Sequence, residues 1–220
     1  MAVVPFKRLI KNAGRPSDTF WGRLMLAGMN RGHQKMALWC IDTCMDLSGS
    51  EDVLDIGCGG GQNIANFLKR TGGKVYGMDY SPTSVAKSLK KNKRAVAGKR
   101  AVIVQADVAA IPFENSAFDV ATAFETIYFW KDIIAGFKEA KRVLKPDGKF
   151  VVCNEASKLD GNEYLLDILD MRIYTVEEIT EAMRQAGFAD VQAYRRDNTQ
   201  HICVIGRRRP GGHDDRGRRQ

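Results

Sequence analysis

A cluster of glycines between a strand pattern and a helix pattern constrains the fold of this chain more than any other feature. The apolar run Val53-Leu54-Asp55-Ile56 predicts a buried strand, and the glycine-rich segment 57–61 (GCGGG) follows it directly. Apolar residues in 64–68 then predict one face of a helix. Because glycine has no Cβ, a strand–glycine–helix turn lets the backbone approach a bound ligand closely.

Strand and helix patterns keep alternating after this turn, as they do in chains that form parallel sheets. Further strands are predicted at 74–78, 101–104, 118–124 and 149–153. Ser81 and Pro82 predict the start of one intervening helix, and Pro146 is expected to end another. The alternation predicts an α/β fold with a Rossmann-like, doubly wound sheet.

The last part of the domain predicts a helix followed by a hairpin. Thr175 and Glu178 have the spacing of a helix capping box. Two strands near 190–196 and 201–206 are separated by only a few residues, a connection short enough for antiparallel neighbours. The complete prediction is a seven-stranded, mostly parallel sheet with an antiparallel last strand.

Residues 1–50 precede this sheet and are interpreted as an N-terminal helical cap on the core domain, 51–206. Two segments carry helical patterns, 21–29 and 36–47, and the second is amphipathic. We expect the stretch from Trp21 to Leu47 to cover the carboxyl edge of the sheet and to form the roof of a ligand pocket.

Charge is unevenly distributed along the chain. The formal net charge is +8, and the segment 207–220, with six arginines and two aspartates, supplies half of it. That segment has almost no apolar residues, so we predict a disordered basic tail. A second basic run, 87–100, is interpreted as a solvated helix face, with nucleic-acid contact as the alternative.

Other features of composition bear on location and partners. No apolar run approaches the length of a bilayer span, and the five cysteines form no CxxC pair. We therefore expect a cytoplasmic protein with no membrane partner, and the sequence argues against nucleic acid as a partner. It does not predict an oligomeric state.

Three aspartates stand at or near the carboxyl ends of three successive predicted strands, where α/β sheets bind ligands: Asp55, Asp79 and Asp107. Asp55 lies within an apolar strand and requires donors, so it could orient the turn or accept from an ammonium group. Asp79 is placed to accept from ribose hydroxyls, and Asp107 from an adenine amino group with Val108 against the ring. A cap or turn role is the alternative for Asp79 and Asp107.

Together these segments resemble the class I S-adenosylmethionine-dependent methyltransferases, in order and spacing. The matching segments, spread over roughly 51–206, are VLDIGCGGG, GMDYS, QADVAAIPF, FDVATAFETIYFW and FKEAKRVLKPDGKFVV. The sequence KPDG departs mildly from the commoner KPGG. The resemblance implies S-adenosylmethionine as the cofactor, with its ribose on Asp79 and its adenine on Asp107. It also implies that Asp55, Gly57 and Glu125 surround the methionine moiety. The remaining positions assigned to the cofactor are Gly59, Gly61, Tyr80 and Val108.

The methyl acceptor is expected to be a small molecule. After the fourth strand the chain runs into ETIYFW (125–130), which resembles family members that act on small molecules. The chain has no Asn-Pro-Pro-aromatic motif after that strand and no Pro-Cys pair, which argues against methylation of DNA bases. No dense set of Asp, Asn and His residues indicates a metal.

Tyr128 and His33 are the candidate catalytic residues. An aromatic face can hold a cationic or planar acceptor, and Tyr128 is preferred to Phe129 and Trp130, for which packing against the next helix is the alternative. His33, the one histidine before the sheet, could act as a base, with a cap or solvent role as the alternative. In-line transfer from a sulfonium depends mainly on positioning, so no catalytic triad is required.

Three other functions stay open as alternatives to small-molecule methylation. The basic segments are compatible with a methyltransferase of RNA or protein. A cofactor-binding module without catalysis would share the same motifs. A nicotinamide dehydrogenase is disfavoured by Asp107 and by the predicted terminal hairpin.

Overall fold

Seven strands form one mixed sheet in the computed structural model, which describes residues 33–157 and 171–210. The strands are β1 (Val53–Ile56), β2 (Val75–Asp79), β3 (Ala101–Gln105), β4 (Phe118–Phe124), β5 (Leu144–Asn154), β6 (Ala189–Arg195) and β7 (Ile202–Arg207). Their order is β3-β2-β1-β4-β5-β7-β6, and β7 runs antiparallel to both of its neighbours. The predicted Rossmann-like sheet with an antiparallel last strand is confirmed. Its strand order reverses between β1 and β4, the place where open α/β sheets bind ligands.

Six helices of the described chain flank the sheet. They are α1 (Gln34–Trp39), which continues as a π turn over Cys40–Cys44, α2 (Gln62–Phe67), α3 (Pro82–Lys91), α4 (Lys93–Ala97), α5 (Ile133–Val143) and α6 (Val176–Gln185). The Ser81 hydroxyl caps α3, and Thr175 and Glu178 form the predicted capping box of α6. Both helix starts are therefore fixed by side chains next to them in sequence. No helix of the described ranges is long and apolar enough to cross a bilayer.

Apolar side chains fill both faces of the sheet. Helices α5 and α6 pack on one face, where the Phe150 ring lies 5.0 Å from that of Phe137 and is stacked 5.4 Å from that of Phe188. Helices α1 and α2 pack on the other, where Ile64 and Phe67 are fully buried. Most side chains of the inner strands thus point into one of two cores, whereas β6 at the sheet edge has no buried side chain.

Residues 34–45 run down a face of the sheet instead of over its edge. Met36 and Cys40 are fully buried on that face, and Cys40 Sγ lies 3.3 Å from Cys203 Sγ of β7. All five cysteines are buried and unpaired, in agreement with a packing role. At the far end of the segment, Lys149 Nζ donates to the Met45 carbonyl, 2.9 Å away, near the amino end of β5.

This path changes the interpretation of the expected roof. Residues 34–45 belong to the core on one face of the sheet, and His33 is the described residue of the segment that reaches the carboxyl edge. The earlier part of that expectation, 21–32, lies outside the described residues.

The end of α5 also differs from the prediction. The helix stops at Val143, three residues before Pro146, because β5 already begins at Leu144 and pairs there with Phe118. A register shift in this pairing follows at Phe118/Val120. The helix therefore ends where the pairing of β5 begins, before the chain reaches the proline.

The fold continues into the segment that was predicted to be a disordered tail. Strand β7 extends through Arg207, and the Arg208 guanidinium donates to Ser116 Oγ at 3.1 Å, to the Arg142 carbonyl at 3.0 Å and to the Leu144 carbonyl. The backbone N–H of Arg208 also donates to the Gly148 carbonyl at 2.9 Å. The predicted tail boundary is therefore too early by at least two residues, and 211–220 lie outside the described residues.

We predict that Arg208→Ala destabilises the protein while Arg209→Ala does not. Arg208 satisfies carbonyl groups at the α5–β5 junction, and hydrogen bonds that involve a charged group contribute about 1.5–3 kcal/mol each to stability. Arg209 is exposed, so its replacement is expected to stay within about 0.5 kcal/mol. Urea unfolding of the two variants beside the parent measures the difference. Equal unfolding free energies for both variants would contradict a structural role of Arg208.

Candidate cofactor and acceptor site

The glycine turn after β1 is held against the end of β2. The backbone N–H groups of Gly57 and Cys58 both donate to the Met78 carbonyl, at 2.8 and 2.9 Å. Gly57 has a φ of 75°, and a Cβ there would collide with the Thr126 side chain, so the position needs glycine. The turn therefore presents bare backbone at the carboxyl edge, beside the residues that follow β4.

Asp79 fastens the same turn from the end of β2. Its Oδ2 accepts from the Gly59 N–H and its Oδ1 from the Ser81 N–H, both at 2.9 Å. The carboxyl group is buried, and burial raises its pKa although these two hydrogen bonds act in the opposite direction. Each carboxylate oxygen accepts more than one hydrogen bond, so these contacts leave acceptor capacity for a ligand. The turn role that stood as the alternative is thus real, and it is compatible with a ligand role.

Asp55 is the most deeply buried acid of the site. It is 1% exposed, and its Oδ1 accepts from the Thr122 hydroxyl at 2.9 Å. Its Oδ2 is buried and has no hydrogen-bond partner. Burial raises the pKa of Asp55 to about 7, against the Thr122 hydrogen bond, and the nearby charge of Asp79 adds to the rise. A buried acceptor without a donor, next to a bare glycine turn, fits the cationic group of a ligand.

Asp107 lies at the same edge and is exposed. Its Oδ1 accepts from the Ala109 N–H at 2.9 Å and caps the short 3₁₀ turn Val108–Ala110. Val108 is partly buried, and Tyr80 follows Asp79 at the end of β2, where its carbonyl accepts from the Gln105 side chain at 3.2 Å. Three neighbouring strands therefore bring these acids to one edge: Asp55 lies near the end of β1, Asp79 ends β2, and Asp107 follows β3.

Glu125 is the central residue of a second polar group at the same edge. It directly follows β4, has a φ of 56°, and its Oε1 accepts from the Tyr128 hydroxyl at 3.2 Å and from the Glu155 backbone N–H. Burial, reinforced by the charge of Glu155, raises the pKa of Glu125 to about 8. An acid in a left-handed backbone conformation, desolvated and held by two donors, is typical of a functional position.

His33 brings the N-terminal segment to this acid. Its Nδ1 lies 3.3 Å from Glu125 Oε2, and its Nε2 lies 3.9 Å from Glu155 Oε2. On the other side of Glu155, His201 Nε2 lies 3.9 Å from Oε1. Burial lowers the pKa of His33, while the Glu155 charge raises it. Both candidate catalytic residues, His33 and Tyr128, therefore lie on either side of one carboxyl group.

Tyr128 itself is turned inward. It is 5% exposed, and its hydroxyl contacts the Ala156 backbone at 3.0–3.1 Å as well as Glu125. Trp130 packs on α5, with its ring 5.8 Å from that of Phe137, in agreement with the packing alternative. The hydroxyl of Tyr128 is thus occupied in holding Glu125, while the Trp130 ring belongs to the core.

Sequence reasoning did not identify Glu155 and His201. Glu155 directly follows β5, just as Glu125 follows β4, so its position at a strand end was the available signal. His201 lies in the β6–β7 hairpin, and no local pattern connects it with residue 33. The sequence indicated no metal, yet the structure brings ligand atoms of His33, Glu125 and Glu155 within 4.8 Å of one another.

Comparison with known proteins agrees with this geometry. A family model described as a methyltransferase domain matches residues 54–152. A sterol 4-C-methyltransferase of Caenorhabditis elegans is 38% identical over 111 residues, which cover 49% of this chain and 32% of that protein. A demethylmenaquinone methyltransferase of Lactococcus lactis is 37% identical over 114 residues, which cover 51% of this chain and 44% of that protein. The chain spans a third to a half of the length of the curated relatives it matches.

Solved structures show the same fold at low identity. The geranyl diphosphate C-methyltransferase of Streptomyces coelicolor, in complex with Mg²⁺, geranyl diphosphate and S-adenosyl-L-homocysteine, matches with a TM-score of 0.68 and 16% identity, over 87% of this chain and 85% of that chain. The sheet and its glycine turn define a Rossmann-like methyltransferase domain. The match over residues 54–152 places this part of the chain among the class I S-adenosylmethionine-dependent methyltransferases, a family whose cofactor is S-adenosylmethionine.

We predict that Asp55→Asn changes how stability depends on pH. Because folding raises the pKa of Asp55 from 3.8 to about 7, the folded state holds this proton more tightly, and the stability from it is lost as pH rises through that window. Asparagine does not titrate in this range, so the unfolding free energy of the variant should rise relative to that of the parent between about pH 4 and about pH 8. Urea unfolding of both proteins without ligand at the two pH values measures it. Parallel pH profiles for the two proteins would show that Asp55 does not carry this shift.

Proposed function

We propose that the protein transfers a methyl group from S-adenosylmethionine to a small-molecule acceptor. The observation that carries the proposal is the placement of three carboxyl groups, Asp55, Asp79 and Asp107, at the ends of three neighbouring strands around a bare glycine turn. This edge is the ligand edge of an open α/β sheet, at its topological switch point. The family assignment supplies the cofactor that such an edge would bind.

On the cofactor side, we assign each group by what it can donate or accept. Asp79 accepts from the two ribose hydroxyls with the capacity left by Gly59 and Ser81. Asp107 accepts from the adenine amino group, and Val108 packs against the ring. The open oxygen of Asp55 faces the ammonium group of the methionine moiety. We assign Gly57, Gly59, Gly61, Tyr80 and Glu125 to the remaining surface around the cofactor.

On the acceptor side, the chain has to position the acceptor and exclude water. The bound cofactor would supply an electrophilic methyl group: a nucleophile on the acceptor bonds to that carbon in line with the carbon–sulfur bond, which breaks, and S-adenosylhomocysteine leaves as the neutral thioether. We propose that His33 and Glu125 contact the acceptor. Tyr128 acts as a positioning residue, since its hydroxyl holds Glu125 Oε1. The backbone of Tyr128 is held by the segment 171–174, since the Arg172 N–H donates to the Tyr128 carbonyl at 2.9 Å.

A small acceptor is favoured by the relatives, which include a sterol methyltransferase and a demethylmenaquinone methyltransferase. The exposed part of the basic run 87–100 lies on α3 and α4, and Arg100 is engaged with the Thr71 carbonyl at 2.7 Å. An RNA or protein acceptor therefore stays the second candidate, resting on the remaining exposed lysines.

Unpaired buried cysteines fit the reducing conditions of a cytoplasmic location.

We predict that S-adenosylmethionine binds with a Kd in the micromolar range or tighter, about −8 kcal/mol. Asp79→Asn should weaken binding by about 10- to 100-fold, because a charged acceptor of two ribose hydroxyls is lost. The matched control is Asp147→Asn, the same chemical change in an exposed turn near the amino end of β5, where asparagine tolerates the φ of 64°. Calorimetry gives all three constants. Parent-like affinity of a folded Asp79→Asn variant would refute the ribose assignment.

We predict that His33→Gln lowers methyl transfer by at least about 10-fold without changing cofactor affinity. The protein is incubated with radiolabelled S-adenosylmethionine and a metabolite extract, and label in small molecules is separated from label in RNA and protein. Tyr128→Phe should lower turnover less, since Glu125 keeps its second donor. Lys35→Gln, an exposed neighbour of His33, is the control. Cofactor binding without transfer to any of the three fractions would point to a binding module instead.

A further inference from the structure

The carboxyl edge holds a cluster of histidine and glutamate side chains that the cofactor assignments do not use fully. His33, Glu125 and Glu155 each place one nitrogen or oxygen within 4.8 Å of those of the other two, and all three are partly buried. They come from three separate places: the start of α1, the end of β4 and the end of β5. His201, from the β6–β7 hairpin, stands beyond Glu155.

The spacings in this cluster do not match those of ordinary hydrogen bonds. His33 lies 3.3 Å from Glu125 and 3.9 Å from Glu155, and His201 also lies 3.9 Å from Glu155. An N–H···O bond is about 2.7–3.2 Å long. An ion with bonds of about 2.0–2.2 Å instead separates its ligand atoms by about 3.3 Å in a tetrahedron and by somewhat more at wider angles. The 3.3 Å between His33 Nδ1 and Glu125 Oε2 is the separation that such an ion would give two of its ligands, and one ligand atom of Glu155 lies within 4.8 Å of the ligand atoms of both residues.

The charges of the cluster are not balanced by ordinary partners. Across 33–157 and 171–210, the ion-pair contacts of Glu125 and Glu155 are with His33 and His201, and no lysine or arginine lies at that distance. A divalent cation bound to both carboxyl groups would supply the positive partner that these contacts lack.

The groups around the cluster prepare one oxygen of Glu125 for a ligand. Oε1 is occupied by the Tyr128 hydroxyl and the Glu155 N–H, so Oε2 is the oxygen that faces His33. Outer hydrogen bonds of this kind fix the orientation of a metal-binding carboxylate. His33 faces Glu125 Oε2 with its Nδ1, 3.3 Å away, so this nitrogen is the one that would bind an ion together with that oxygen.

We propose that His33, Glu125 and Glu155 bind a divalent transition-metal ion of the zinc type, with His201 as an outer group on Glu155. Imidazole together with carboxylate favours such ions over Mg²⁺ and Ca²⁺, which take oxygen ligands. Three protein ligands leave a coordination position open. The inference rests on the proposed function only in placing that position toward the acceptor, where it would bind an oxygen-bearing group.

The test is metal binding by tag-free, full-length protein that has been stripped with a chelator. Calorimetry with ZnCl₂ should give one ion per chain, and MgCl₂ should bind far more weakly. His33→Gln and Glu155→Gln should each raise the Kd for Zn²⁺ by at least about 10-fold. Glu177→Gln, an exposed glutamate whose partner is Arg195, is the matched control and should bind like the parent. Co²⁺ should give visible bands without a thiolate charge-transfer band, since the buried cysteines are not part of the site.

Three results would overturn the proposal: no heat with Zn²⁺, parent-like affinity in both ligand variants, or a thiolate band with Co²⁺. S-adenosylhomocysteine is titrated into every variant in parallel, which shows that each one is folded. If the protein binds S-adenosylhomocysteine but not Zn²⁺, the metal site is rejected and the proposed function stands. The opposite result would reject the proposed function and keep the metal site.

Discussion

The carboxyl edge of this protein depends on the contact between Asp79 and the glycine turn. One side chain receives Gly59 from the turn and Ser81 from the start of α3, so it connects β1, β2 and a helix at once. The turn has to be glycine where Thr126 approaches it, and that approach brings the residues after β4 beside it. Glu125 therefore stands next to the turn because the backbone there carries no side chain. The close approach of Thr126 to Gly57 therefore brings the proposed cofactor and acceptor residues together.

The buried acids at the same edge lower the stability of the fold. Asp55, Asp79 and Glu125 are all acids whose pKa is raised mainly by burial. A core of this size would be more stable with apolar side chains at those places, since desolvated acids without full pairing are costly. Perturbed acids gathered at one edge, while the rest of the sheet is apolar on both faces, are typical of a site kept for ligands. Bound cationic groups would recover part of that cost.

Local rules predicted the sheet, its antiparallel last strand and the helix starts, because these depend on neighbours in sequence. Ser81 and Thr175 cap their helices through groups a few residues away. The acceptor side could not be predicted in the same way. His33, Glu125, Glu155 and His201 are each 30 or more residues from the next, and only the finished sheet brings them together. The structural role of Arg208 could not be predicted for a related reason, because its partners lie far from it in sequence, at and near the α5–β5 junction.

The path of α1 decides how firmly His33 is held. The helix that follows it directly is buried in the core, with Met36 and Cys40 fully covered and Cys40 in contact with β7. A histidine on a freely moving cap would lose its contacts whenever the cap opened. Here His33 sits at the upper end of a segment whose lower end is fixed by Lys149 near the amino end of β5. Moving the backbone of His33 away from Glu125 therefore requires a change at the first turn of α1 or disruption of core packing. The imidazole is preorganised by the core on the face of the sheet, which places a polar group accurately at the acceptor side without a roof made of the same helix.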